Sequence, residues 1–229
     1  TAKNFAKDSS QSALKRLSIL RANKYYNASA QNIELNFQNG LLKKVSNSVL
    51  SYAQAKLNPL QKLDQILPND WEAWSEGSIS FGKIGDSSLS SAQDLTSLGI
   101  TVGVDTKMDD DKILGVALRV GSTDVDVGTF GSKVDTNALS LSLYGINSLE
   151  NSNFIKHVFG VSYLDSDIVR TYEGNTDTNK GDREGKQVFG SLNFGREYEN
   201  GDLIITPTGR IDGSYTALNG YTESGSAAA

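Results

Sequence analysis

The chain contains no cysteine, three prolines and one histidine among its 229 residues. It also lacks any apolar run approaching the length of a membrane-spanning helix. Each scarcity excludes something. Without cysteine there is no disulfide framework, and the redox compartment stays undecided. One histidine and no thiolate leave a transition-metal site without its usual ligands. A spanning helix needs about 18 consecutive apolar residues, so a helical inner-membrane protein is excluded. A spanning barrel is not, because its strands need only about 10 residues each. The formal charge of −5 carries no basic footprint, so nucleic acid is not expected as a partner. No phosphate-binding loop is present, and no cofactor is expected. The chain starts at Thr1 without a signal peptide, which reads as a mature form or a fragment.

What is present is alternation. From Trp71 onward, apolar residues alternate with small or polar ones through about seven segments, the period of a strand with one greasy and one wet face. The cleanest are 95–107, with Leu98, Ile100, Val102 and Val104 against Gly99, Thr101, Gly103 and Asp105, and 112–125, with Leu114, Val116, Leu118 and Val120 against Gly115, Ala117, Arg119 and Gly121. The first segment, 71–83, sets Trp71, Ala73, Ile79 and Phe81 against Glu72, Trp74, Glu76, Ser78 and Ser80. Leu139, Leu141 and Leu143 alternate with Ser140, Ser142 and Tyr144 in the fourth. Ile155, Phe159, Val161 and Tyr163 do so with Lys156, Gly160 and Ser162 in the fifth. The sixth has Val188, Leu192 and Phe194 opposite Ser191 and Asn193, and the seventh has Leu203, Ile205, Pro207 and Ile211 opposite Thr206, Thr208, Arg210 and Asp212.

The connections alternate too. Residues 108–111, 147–153 and 199–201 are short, whereas 83–94, 126–135 and 165–186 are long and polar. Periplasmic turns and cell-surface loops differ in this way in an outer-membrane barrel. A soluble sheet also alternates, but its strands average about 5–6 residues, and a wet lumen suits the Gly, Ser and Thr of the second face better than a dry core does. The expected fold is therefore all-β, a transmembrane antiparallel up-and-down β-barrel of which about seven strands are present. An α-helical segment precedes it, giving a division into 1–67 and 68–229.

The segment before Trp71 has helical spacing instead. Leu14, Leu17, Ile19 and Leu20 lie among Lys15, Arg16, Arg21 and Lys24. This basic helix reads as a passenger stalk or as a contact to anionic lipid head groups. A second helix is expected at 41–57, with Leu42, Val45, Val49, Leu50 and Tyr52 on one side, ended or kinked at Asn58-Pro59. Gln61 to Leu67 adds a turn before the stop at Pro68-Asn69-Asp70.

The ordered set Trp71-Glu-Ala-Trp-Ser-Glu-Gly-Ser-Ile-Ser-Phe-Gly82, Leu98-Gly-Ile-Thr-Val-Gly-Val-Asp105 and Leu114-Gly-Val-Ala-Leu-Arg-Val-Gly121 resembles the opening strands of the type V autotransporter β-domain. Leu139-Ser-Leu-Ser-Leu-Tyr-Gly145, Ile205-Thr-Pro207 and Leu218-Asn-Gly-Tyr-Thr-Glu223 are similar to its later strands. The resemblance covers about 71–229. It implies a twelve-stranded barrel that anchors an N-terminal passenger, helps export it to the cell surface and holds a linker helix in its pore, for which 41–67 is the match. It further implies outer-membrane lipid, the barrel assembly machinery and the passenger as partners. The chain stops at Ala229, short of the family's last strands, so the barrel is expected to be completed elsewhere. A passenger-free porin or adhesin barrel, or an esterase anchor, stays open as an alternative.

The charged residues of the wet face, Glu72, Glu76, Arg119, Lys156, Arg210 and Asp212, are candidates for holding the pore helix. The alternative is that they only solvate the lumen. No enzyme is expected. Gly85-Asp-Ser-Ser88 resembles the nucleophile block of one lipase family, but His157 is the sole available base and lies in another strand. Asp109-Asp110-Asp111, and Asp177, Asn179 and Asp182, lack calcium-loop spacing and read as solvated connections.

Overall fold

Six long antiparallel strands pair in sequence order, β1 (Trp71–Ile84), β2 (Gln93–Asp109), β3 (Lys112–Val127), β4 (Ser132–Ser148), β5 (Asn153–Thr171) and β6 (Thr178–Arg196). The structure, a computed structural model, describes residues 2–23, 68, 70–86, 91–171, 178–201 and 203–225. After β6, the short strands β7 (Tyr198–Asn200) and β8 (Leu203–Ile205) form their own hairpin. Strand β9 (Thr208–Leu218) then pairs along β6, and the two-residue β10 (Ser224–Gly225) pairs with β6 farther on. Among the described residues the sheet is open, with β1 at one edge and β9 at the other.

The register shows why the sequence chooses this sheet. Val102, Leu118, Leu141, Val161, Val188 and Tyr215 stand directly opposite one another on successive strands, one apolar row on the outer face. One residue away runs Glu76, Thr101, Arg119, Ser140, Ser162, Gln187 and Thr216, a wholly polar row on the inner face. A slip of one residue between any pair would exchange the two rows, so the pattern fixes register as well as fold. The outer row stays exposed, with Leu118 at 41%, Leu141 at 50% and Val161 at 54%. An apolar belt that no protein covers is the surface of a lipid-facing barrel wall.

Three sequence expectations change. The expected long connections are mostly strand: β5 and β6 each run 19 residues, and only 172–177 join them. Likewise β3 and β4 are joined by 128–131, no more residues than the 149–152 joining β4 to β5. Backbone pairing does not stop where the apolar belt ends, because Asp, Ser and Thr continue the alternation into water. Asn179 and Asp182 accordingly lie in β6, whereas Asp177 is outside the described residues. The expected seventh strand is also broken: Leu203–Ile205 turns back on Tyr198–Asn200, and the strand resumes at Thr208. Pro207 interrupts it, because it has no N–H to donate to a ladder.

The third change concerns the helix. Helix α1 (Ala2–Asn23) lies against the inner face, touching β3, β4, β5, β6 and β9. Phe5, Ala6, Ala13, Leu14 and Leu17 are buried, together with Ser9, Ser10 and Ser12. Short side chains let the helix approach the strands closely. The segment read as a stalk or lipid contact is thus the one inside the sheet's curve. The stretch 41–67, expected in that place, lies outside the described residues.

Candidate functional site

Large inward side chains can fit beside a helix only where the opposing strand supplies no side chain. Trp74 of β1 lies over Gly103 of β2, its direct partner in register, where a Cβ would meet the indole at 2.6 Å. Tyr144 of β4 covers Gly115 of β3 in the same way. The two rings meet edge to face at 5.9 Å between centroids, and the Trp74 indole N–H donates to the Tyr144 hydroxyl at 2.6 Å. Phe189 over Gly160 and Phe154 over Gly195 repeat the arrangement across β5 and β6.

This aromatic floor holds a carboxylate. Asp105, the register partner of both Glu72 and Gly115, is 2% exposed. Its Oδ2 accepts from the Tyr144 hydroxyl at 2.8 Å. From the helix, Arg16 donates through Nε to Oδ2 at 2.8 Å and through Nη2 to Oδ1 at 2.9 Å. Two parallel donors on two carboxylate oxygens make the fork geometry that only guanidinium supplies. Nη2 also donates to Glu72 at 2.8 Å, and Lys15 pairs with Glu76 at 2.7 Å.

The other contacts run along the helix. Near its start, the Gln187 amide donates to the Ala2 carbonyl at 3.0 Å, and Phe5 lies over Gly121. Asp8 faces Arg119 at 3.8 Å. Arg119 is itself held by Thr101 and Ser78 at 3.1 and 2.8 Å, beneath a glycine, Gly99, that leaves room for its guanidinium. Ser9 and Ser140 hydroxyls meet at 3.1 Å, and Arg210 donates to the Gln11 side chain at 3.0 Å. Farther on, Lys156 donates to the Ser18 hydroxyl at 2.7 Å. Arg21 lies over the Phe154 ring at 3.6 Å and pairs with Glu197 at 3.0 Å. The helix therefore starts toward the end carrying the 85–92, 128–131 and 172–177 connections and finishes toward the end carrying 110–111, 149–152 and the β7–β8 hairpin.

Of the sequence candidates, Glu72, Glu76, Arg119, Lys156 and Arg210 meet side chains of α1. Asp212 shares the wet face but pairs with Arg210 on its own strand at 2.8 Å, so it orients a contact rather than making one. Asp105, Trp74, Tyr144 and Glu197 were missed as site residues. Their signal was the inward glycines Gly103 and Gly115, placed where an aromatic on the next strand needs the space.

The turn end is bracketed by exposed pairs. Lys112 holds the Asp109 carboxyl below its ordinary range through a hydrogen bond at 3.0 Å, and Asp110 raises the Lys107 ammonium. Among the described residues no cluster of His, Asp and Glu is arranged to hold a metal.

Comparison with known proteins agrees with this geometry. The family model described as the autotransporter β-domain matches residues 73–229. Outer membrane protein B of Rickettsia prowazekii is 28% identical over 141 residues, covering 57% of this chain and 9% of that protein. The same-named protein of Rickettsia rickettsii is 25% identical over 141 residues, 57% of this chain and 8% of that one. The chain thus spans a small fraction of these relatives. The translocator domain of autotransporter NalP from Neisseria meningitidis superposes with a TM-score of 0.56 at 17% identity, covering 80% of this chain and 62% of that one, a likeness of fold. An uncovered apolar belt outside, a charged helix-filled groove inside and the family match together give one assignment: the chain belongs to the autotransporter β-domain family of the outer membrane.

Proposed function

We propose that this domain anchors an N-terminal passenger in the outer membrane, that the passenger leaves through the lumen, and that α1 stays behind as its plug. The observation that carries this is the seating of α1: side chains along 17 residues of helix, from Phe5 to Arg21, meet complementary groups on six strands and the residue after β6. A helix held so is a resident of the groove rather than a segment in transit. Its direction also matters. With the end carrying 110–111 and 149–152 taken as periplasmic, the start of α1 faces the cell surface, and anything preceding it is outside.

The mechanism is physical, not catalytic. His157 lies at the turn end, in register with Gly145, whereas Gly85 follows β1 at the opposite end; Ser87 and Ser88 are outside the described residues. About 13 residues of strand separate the two levels, on the order of 40 Å. Outer-membrane lipid bathes the apolar rows, and the barrel assembly machinery is the agent of insertion in this reading. Folding of the passenger outside supplies the drive, because no nucleotide is used at that membrane.

An epitope placed ahead of Ala2 in the full-length protein tests orientation: antibody labelling of intact cells is expected, and labelling only after permeabilisation would overturn it. Deleting 2–23 tests the plug. Single-channel conductance should rise severalfold, and an unchanged trace would refute the plug reading.

A further inference from the structure

We infer that the lumen carries a guanidinium-binding site, built by Asp105, Tyr144 and Trp74 independently of the helix and occupied here by Arg16. Everything that shapes the site belongs to the strands. Gly103 and Gly115 give the two rings their seats, the indole N–H donates to the tyrosine oxygen, and the tyrosine O–H points to Asp105 Oδ2 at 2.8 Å, nearer than its second acceptor, the Val104 carbonyl at 3.3 Å. The carboxylate is thus fixed in orientation on the inner face, at 2% exposure, where both oxygens accept from Arg16. Glu72 adds a second acceptor beside it, through Oε2, at 2.8 Å from Arg16 Nη2.

Such a site discriminates by shape as well as charge. A guanidinium satisfies Oδ1, Oδ2 and Glu72 at once from one plane, whereas an ammonium presents a point charge that reaches these oxygens without the parallel fork. Lys15 shows the contrast on the same helix: it makes one contact, to Glu76, and its side chain is 54% exposed. The ligand class is therefore a guanidinium group, of Arg16 when α1 is seated and of any arginine facing β1–β2 when it is not. Trp74 and Tyr144 act as positioning residues. This inference deepens the plug reading and shares its conductance test, but its spectroscopic test is independent of plugging.

The experiment is chemical rescue in the full chain. Arg16→Ala, in a Trp71→Phe background that leaves Trp74 as the only tryptophan of these 229 residues, is titrated with guanidinium chloride in the millimolar range, well below denaturing levels. Conductance in planar bilayers and Trp74 emission are followed. Guanidinium should lower the raised conductance and shift the emission saturably, while methylammonium at equal concentration should do neither. Adding Asp105→Asn should weaken the apparent affinity about tenfold or more, the loss expected for one charge-assisted hydrogen-bonded pair. Tyr144→Phe should weaken it less, without changing the preference over methylammonium. Equal responses to the two cations, or a titration indifferent to Asp105→Asn, would overturn the site. Saturable emission with flat conductance would keep the site and remove the plug. Should Arg16→Ala fail to insert, Arg16→Gln, closer in volume, carries the same titration.

Discussion

The β1–β2 wall and the β5–β6–β9 wall face the same helix with opposite charge. Glu72, Glu76 and Asp105 line the first and meet Lys15 and Arg16. Lys156 and Arg210 line the second and meet neutral acceptors, the Ser18 hydroxyl and the Gln11 amide oxygen. The helix thus turns Lys15 and Arg16 toward the acidic wall and the oxygens of Gln11 and Ser18 toward Arg210 and Lys156, while Arg21 near its end pairs with Glu197; together these contacts fix its rotation about its own axis. The contacts also differ in depth within each wall: Asp105 and Lys156 are buried, whereas Glu72 is exposed and Arg210 contacts an exposed Gln11. Depth decides energy, because a buried partner left alone keeps an uncompensated charge while an exposed one recovers water.

That difference orders the outcomes. Asp105→Ala should be the most damaging change, up to about 3–5 kcal/mol where the pair is dry, read as loss of helix docking by conductance and by protease access to α1. On the outer face, Leu118→Lys should cost about 2–4 kcal/mol for a cation at mid-membrane, read as a lower urea midpoint for folding into vesicles, with the helix contacts unaffected. Lys156→Met should be milder than Asp105→Ala, about 1.5–3 kcal/mol or less, since it removes one charged hydrogen bond to a neutral acceptor. If it proves worse, the charge of the partner is not what ranks these two buried contacts. Glu76→Gln should cost about 0–1 kcal/mol, because Lys15 is largely in water and salt screens the pair. Asp109→Asn at the turn should have the smallest effect. The carboxyl there is held low by Lys112, so what it adds is present above the ordinary carboxylate pKa and disappears as pH falls through the lowered value. A variant-to-wild-type comparison across that acid range checks the sign.

Much of the wall could be read from particular residues. Leu98 through Val104 and Leu114 through Val120 alternate without exception, and both stretches lie in strands with those residues outward. The wet-face charges Glu72, Glu76, Arg119, Lys156 and Arg210 could be found by parity alone. Asp105 was visible on that same face but not as the deepest anchor, because its importance comes from Tyr144 and Trp74 on strands 39 and 31 residues away in sequence. Leu203, Ile204 and Ile205 are an unbroken apolar run of strand-forming residues, yet Pro207 cannot extend the ladder, and the chain forms a separate hairpin there.

The sequence by itself determined which side chains face lipid and which face the lumen, since a period of two leaves each strand only one register that keeps its apolar row out of water. It also determined, through Gly and Pro, where aromatics find seats and where a ladder stops. Which helical segment fills the groove was a tertiary decision. The family resemblance implied 41–67, which lies outside the described residues; α1 brings Asp8, Gln11, Lys15, Arg16 and Ser18 to partners on five strands at once. Only the curve of the assembled sheet places those partners at helical spacing, and no window of sequence contains them together.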